Sequence, residues 1–81
     1  MPNAFILINV ETGSEDSILK QLRQMDFVEE AYVSYGGYDL IIRVKADDMT
    51  ELKEKVTSKI RSLNKIKSTL TLIIMEKQPF A

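Results

Sequence analysis

Two stretches of this chain carry large apolar side chains at both odd and even positions, Phe5-Ile6-Leu7-Ile8 and Leu70-Thr71-Leu72-Ile73-Ile74. Successive side chains of a strand point to opposite faces, so a strand of this kind must be covered on both sides. A chain of 81 residues holds one domain with one core. A sheet built on these strands therefore needs helices on one face and a second partner on the other.

The rest of the pattern supplies the helices. Ala4 to Val10 reads as a first strand, interrupted only by Asn9. Thr12-Gly13-Ser14-Glu15 has capping-box spacing, with Ser14 a rival N-cap. Ile18, Leu19, Leu22 and Met25 follow at helical spacing and predict a first helix to about Met25. Val28 to Tyr35 and Tyr38 to Lys45 read as two further strands. Asp48-Met49-Thr50-Glu51 is a second capping-box pattern, and Met49, Leu52, Val56, Ile60 and Leu63 line one stripe behind it, with Asn64 as the stop. Lys67 to Glu76 closes the chain as a fourth strand, followed by a short tail at 77–81. The expectation is a single domain, 1–81, of α+β class. Its order is the ferredoxin-like βαββαβ, a four-stranded antiparallel sheet with two helices on one face.

Gly36-Gly37 between the second and third strands predicts a two-residue type I′ loop, which pairs Tyr35 with Tyr38. Counting outward sets Ser34 against Asp39, Val33 against Leu40, Ala31 against Ile42 and Glu30 against Arg43. Ala31, Val33, Leu40, Ile42 and Val44 then share the helix face. Glu30, Tyr32, Ser34, Asp39, Ile41 and Arg43 share the other, where Glu30 and Arg43 make a cross-strand ion pair. Whichever parity the outer two strands adopt, large apolar side chains remain on the face without helices. Monomers rarely expose such a patch, so an identical chain packed sheet to sheet is expected there.

The chemistry is restricted. Histidine and cysteine are absent, which removes the commonest general base and the thiolate nucleophile. No catalytic residues, cofactor or metal are expected, and Asp47-Asp48 reads as helix capping. A net charge of −1 with scattered signs argues against direct nucleic-acid binding and against a polybasic membrane anchor. Phe5 to Val10 is too short to span a bilayer and lacks the flanks of a signal peptide, so the expected compartment is the cytoplasm. Tyr32, Tyr35 and Tyr38 suit a hairpin without further purpose. Asp39 is less easily absorbed, because aspartate is depleted in strand interiors. A carboxylate beside a glycine turn suits an ammonium group, and free turn N–H groups suit a carboxylate. Together they fit the two ends of an α-amino acid.

Gly36-Gly37-Tyr38-Asp39-Leu40, read as G-x-Y-D-hydrophobic, resembles the hairpin motif of the Lrp/AsnC transcription regulators. Phe5 to Val10, Phe27 to Ala31 and Ser68 to Ile74 resemble the opening, second and last strands of their effector-binding half, the RAM domain. The resemblance covers nearly the whole chain. It implies a dimeric α+β barrel, assembled further into a ring of dimers (octamer or decamer). It also implies an amino-acid effector bound between dimers by Ser34, Tyr35, Gly36, Gly37, Tyr38 and Asp39, with Thr69 and Thr71 of the last strand. The helix-turn-helix of full-length members has no counterpart here, so a stand-alone sensor is expected, with full-length Lrp/AsnC regulators as candidate partners. The alternatives are a small dimeric α+β barrel enzyme of monooxygenase or isomerase type, and an ACT-like regulatory domain.

Overall fold

The computed structural model describes residues 3–74. The elements are β1 (Asn3–Val10), α1 (Glu15–Arg23), β2 (Val28–Val33), β3 (Leu40–Lys45), α2 (Met49–Glu51), a π-helical segment (Leu52–Val56), α3 (Thr57–Arg61) and β4 (Ile66–Ile74). The last three helical pieces follow one another without a break, so the order is the expected βαββαβ. The strands form one antiparallel sheet in the order β2-β3-β1-β4.

The register counted from the sequence holds across β2 and β3, with Val33 opposite Leu40, Ala31 opposite Ile42 and Glu30 opposite Arg43. The expected ion pair is present, at 3.8 Å. A bulge between Val28 and Glu30 shifts the pairing beyond that point. β1 lies between β3 and β4, with Ile6 opposite Ile42 and Thr71, and Leu7 opposite Ile41 and Leu70.

That register decides the parity of the outer strands. Ala4, Ile6, Ile8 and Val10 join Leu40, Ile42 and Val44 on one face, buried against Ile18 and Leu22 of α1 and against Leu52, Val56 and Ile60. Phe5 and Leu7, with Leu70, Leu72 and Ile74, line the opposite face. There Phe5, Leu70, Leu72 and Ile74 are exposed, and so is Tyr32 of β2. Val33 departs from expectation. It has the helix-side parity yet is 49% exposed, because it is the last residue of an edge strand, beyond the reach of the helices.

Local signals explain the helix ends. Asp48 is the N-cap of the second helical run, its carboxylate accepting from the Glu51 N–H at 2.8 Å. Ser14 caps α1 by position, but its side chain makes no capping bond, so neither Thr12 nor Ser14 closes a capping box. Glu15 and Asp16 open α1 and Lys20 and Arg23 end it, which complements the helix dipole. α1 stops at Arg23 and α3 at Arg61, each two residues short of expectation. The left-handed residue after α3 is Lys65, at φ 71°, rather than Asn64. Lys65 is held there by its carbonyl, which accepts from the Glu11 N–H at 2.9 Å. The expected end of the last strand (Met75, Glu76) and the tail at 77–81 lie outside the described residues.

Candidate functional site

The β2–β3 connection is longer than a two-residue loop. β2 ends at Val33 and β3 starts at Leu40, and a single bond, Ser34 N–H to the Asp39 carbonyl at 2.8 Å, closes the loop. The cause lies at Asp39. A residue in a regular antiparallel strand points its N–H and C=O to the same side. Asp39 sends its C=O to Ser34 and its N–H the other way, to the Ile8 carbonyl of β1 at 3.0 Å. The ladder breaks there, and Tyr35 to Tyr38 become the loop. Of the two glycines only Gly36 has a positive φ, 114°, where a type I′ turn requires both. A Cβ added at either glycine would meet nothing within 4 Å, so the space above the loop is open.

Asp39 is the anchor of this loop. Its Oδ2 accepts from the Val10 N–H at 3.0 Å, and its N–H also reaches Asn9 Oδ1 at 3.2 Å. The carboxylate is thus half-buried and already tied to the end of β1, where hairpin geometry alone left it free. Around it, Tyr35 is 99% exposed. Tyr38 is half-buried, and Gly36 and Gly37 are exposed. The backbone N–H groups of Tyr35, Gly36, Gly37 and Tyr38 donate to no backbone acceptor among the described residues.

The register extends this corner into a row. Leu40 lies opposite Ile8, so Asp39 falls beside Asn9, and Asn9 lies opposite Ser68 of β4. Asn9 Nδ2 donates to Ser68 Oγ at 3.3 Å, and Ser34 Oγ donates to the Tyr35 carbonyl at 3.3 Å. Ser34, Asp39, Asn9 and Ser68 therefore form a polar row at one end of the helix-free face. It borders the apolar row of Tyr32, Ile41, Leu7 and Leu70. Asn9 and Ser68 were not singled out from the sequence, and the only signal was one amide inside an otherwise apolar strand. Thr69 and Thr71 are placed elsewhere. They lie opposite Ile8 and Ile6, on the helix side of the edge strand, so one chain does not bring them together with Asp39.

Among the described residues no helix is long and apolar enough to cross a membrane. Residues 3–78 match the family described as the Lrp/AsnC ligand binding domain. The regulatory protein AsnC of Haemophilus influenzae is 34% identical over 73 residues, 89% of this chain and 49% of that protein. A homocitrate synthase of Sulfolobus acidocaldarius is 35% identical over 78 residues, 93% of this chain but 16% of the enzyme. This chain thus spans about half of the regulator and a small part of the synthase. Among solved structures, a hypothetical protein from Pyrococcus horikoshii is 40% identical with a TM-score of 0.87, covering 95% of this chain and 93% of its own. AsnC of E. coli is 30% identical with a TM-score of 0.87, covering 99% of this chain and 54% of its own. The four-stranded sheet, the G-x-Y-D loop at its corner and these matches together make the chain a member of the Lrp/AsnC ligand-binding domain family.

Proposed function

We propose that this chain is a non-catalytic, oligomeric sensor of a free amino acid, bound at the 34–39 loop and working in the cytoplasm. The observation that carries the reading is the state of Asp39. One carboxylate oxygen is held by Val10 N–H, which fixes the group in place, and Oδ1 makes no hydrogen bond among the described residues. An acceptor held in this way is pre-organised for an effector ammonium. The unpaired N–H groups of Tyr35 to Tyr38 stand ready for the effector carboxylate.

Assembly is part of the same reading. The helix-free face, with Phe5, Leu70, Leu72 and Ile74 exposed, is suited to a second copy packed sheet to sheet. Further association of dimers into a ring would bring Thr69 and Thr71 of one copy toward the loop of another. Full-length Lrp/AsnC regulators, which carry the same domain, are candidate partners for mixed assembly through that face. Direct DNA contact is not part of this reading, since the net charge is −1. The homocitrate synthase match supports a ligand-binding role that is independent of DNA, because there the module forms 16% of a chain named as an enzyme.

The test is a thermal-shift screen of the common L-amino acids, followed by calorimetry on those that stabilise. L-Methionine belongs in it, since one fold neighbour is a Neisseria meningitidis regulator in complex with L-Met. Asp39→Asn keeps the shape and removes the charge. Loss of a hydrogen bond to a charged group, about 1.5–3 kcal/mol, predicts affinity lower by roughly tenfold or more. Equal affinity for wild type and variant removes Asp39 from the site. No response to any amino acid overturns the proposal.

A further inference from the structure

At the end of the sheet opposite the 34–39 loop, a cavity of about 330 Å³ opens beside the second helical run. Its other wall is made by the connections that lead into β2 and out of β3, which the Lys45 N–H bonds together through the Phe27 carbonyl at 3.0 Å. The volume is at the lower end of small-molecule sites, about 300–1,000 Å³. Phe27, Ala46 and Val56 give it an apolar floor. Lys45, Lys55 and Lys59 supply three cations around it, and Asp26, Asp47 and Glu51 three anions. Among the described residues none of these six is in an ion pair; the Glu30–Arg43 pair lies elsewhere. Lys59 Nζ instead stands 6.0 Å from the centroid of the Phe27 ring.

A second, independent feature coincides with this cavity. The helix wall that supplies Lys55 and Val56 is the π-helical segment, Leu52–Val56. The Thr57 hydroxyl donates to the Leu52 carbonyl at 3.4 Å, five residues back, and so occupies an acceptor at the π turn. π turns inside α-helices are rare and occur frequently at functional sites.

We propose that this pocket is a second small-molecule site, distinct from the 34–39 loop, for a small zwitterion with an apolar body such as a free apolar amino acid. The charge pattern selects that class. A simple anion attracted by the lysines would meet three carboxylates, and a simple cation would meet three ammonium groups. A molecule carrying both charges on an apolar body satisfies both sets and covers the floor. The inference does not rest on the loop being an effector site.

The test is a titration of ¹⁵N-labelled protein, followed by amide NMR, with L-leucine and with L-phenylalanine. Each is compared with the acid lacking its amino group and the amine lacking its carboxylate. The expected result is saturable shifts at 26–27, 45–47 and 51–59, with each single-charge analogue weaker by about tenfold or more. Lys55→Gln with Lys59→Gln should weaken binding at this end by a similar factor, and the spectrum itself reports that the variant is folded. Asp39→Asn should leave these shifts unchanged, which separates this site from the loop. The proposal is overturned by shifts confined to 34–39, by no saturable shift with either amino acid, or by an acid or amine that binds as tightly as its parent.

Discussion

Leu7→Asp is the sharpest probe of the helix-free face. Leu7 is half-buried in a central strand, between Ile41 and Leu70. Around it Phe5, Tyr32, Leu70, Leu72 and Ile74 remain 37–55% exposed. Full burial of such a side chain is worth about 1.5–3 kcal/mol, so each has roughly 1 kcal/mol left to gain. Five of them give about 5 kcal/mol per subunit and about 10 kcal/mol per pair, against about 4–15 kcal/mol of association cost. At the low end of that cost a surplus of about 6 kcal/mol remains, which is a dissociation constant in the tens of micromolar. Leu7→Asp sets a carboxylate against the partner's apolar sheet, and two-fold symmetry does so twice. At several kcal/mol per buried ion, about 6 kcal/mol is lost, on the order of 10⁴ in the dissociation constant. In one isolated subunit the same carboxylate reaches water, so the fold tolerates it. Sedimentation equilibrium from micromolar to millimolar loading should show wild type passing from the 9.3 kDa monomer to the dimer and the variant remaining a monomer throughout. An unchanged dissociation constant in Leu7→Asp refutes sheet-to-sheet packing, as does a wild type that is monomeric throughout.

Three further outcomes follow from single contacts. Asp39→Ala strands the Val10 N–H, and chemical denaturation should show a loss of about 1.5–3 kcal/mol without any ligand present. Asp48→Ala removes the cap on Glu51 N–H, and the same measurement should show about 0.5–2 kcal/mol. Gly36→Ala has open space for its Cβ but forces a side chain to φ 114°; it should lower the thermal midpoint, where Gly37→Ala, without a positive φ, should do so less.

The sheet was legible in the sequence wherever alternation was strict. Ala31, Leu40, Ile42 and Val44 sit at one parity and Glu30 and Arg43 at the other, so the β2–β3 register can be counted from the glycines alone. β1 and β4 are apolar at both parities, and alternation carries no information there. Their faces became known only through pairing with β3. The site was legible in part. Asp39 stood out because strands disfavour it, but the bonds that hold it come from Ile8, Asn9 and Val10. Those residues lie some thirty positions earlier in the chain. No local pattern announces such a bond. The loop is longer than the sequence predicts for the same reason, since Gly36-Gly37 is compatible with a tight turn until β1 draws the Asp39 N–H away. The π turn at Leu52–Val56 was invisible, because its apolar positions fit an α-helical stripe equally well.

The polar row and the apolar face share a border, and that border makes one last outcome decisive about where the effector site is built. Asp39 and Asn9 lie one step along their strands from Leu40 and Ile8, and the next residues on the helix-free face are Ile41 and Leu7. A subunit packed on that face would end close to the row. If the site is complete within one chain, Leu7→Asp should bind the effector as wild type does, because Asp39, its Val10 N–H partner and the loop N–H groups all belong to one chain. If Thr69 and Thr71 must come from another copy, the monomeric variant should lose affinity together with assembly. Linkage then requires the converse: effector at a hundred times its dissociation constant should stabilise the wild-type assembly by about 2.7 kcal/mol. Calorimetry on Leu7→Asp and sedimentation of wild type with and without effector measure the two sides of this cycle. Lost binding with an assembly that ignores the effector would be thermodynamically inconsistent with a shared site, and would mean that Leu7→Asp disturbs the loop through β1 instead.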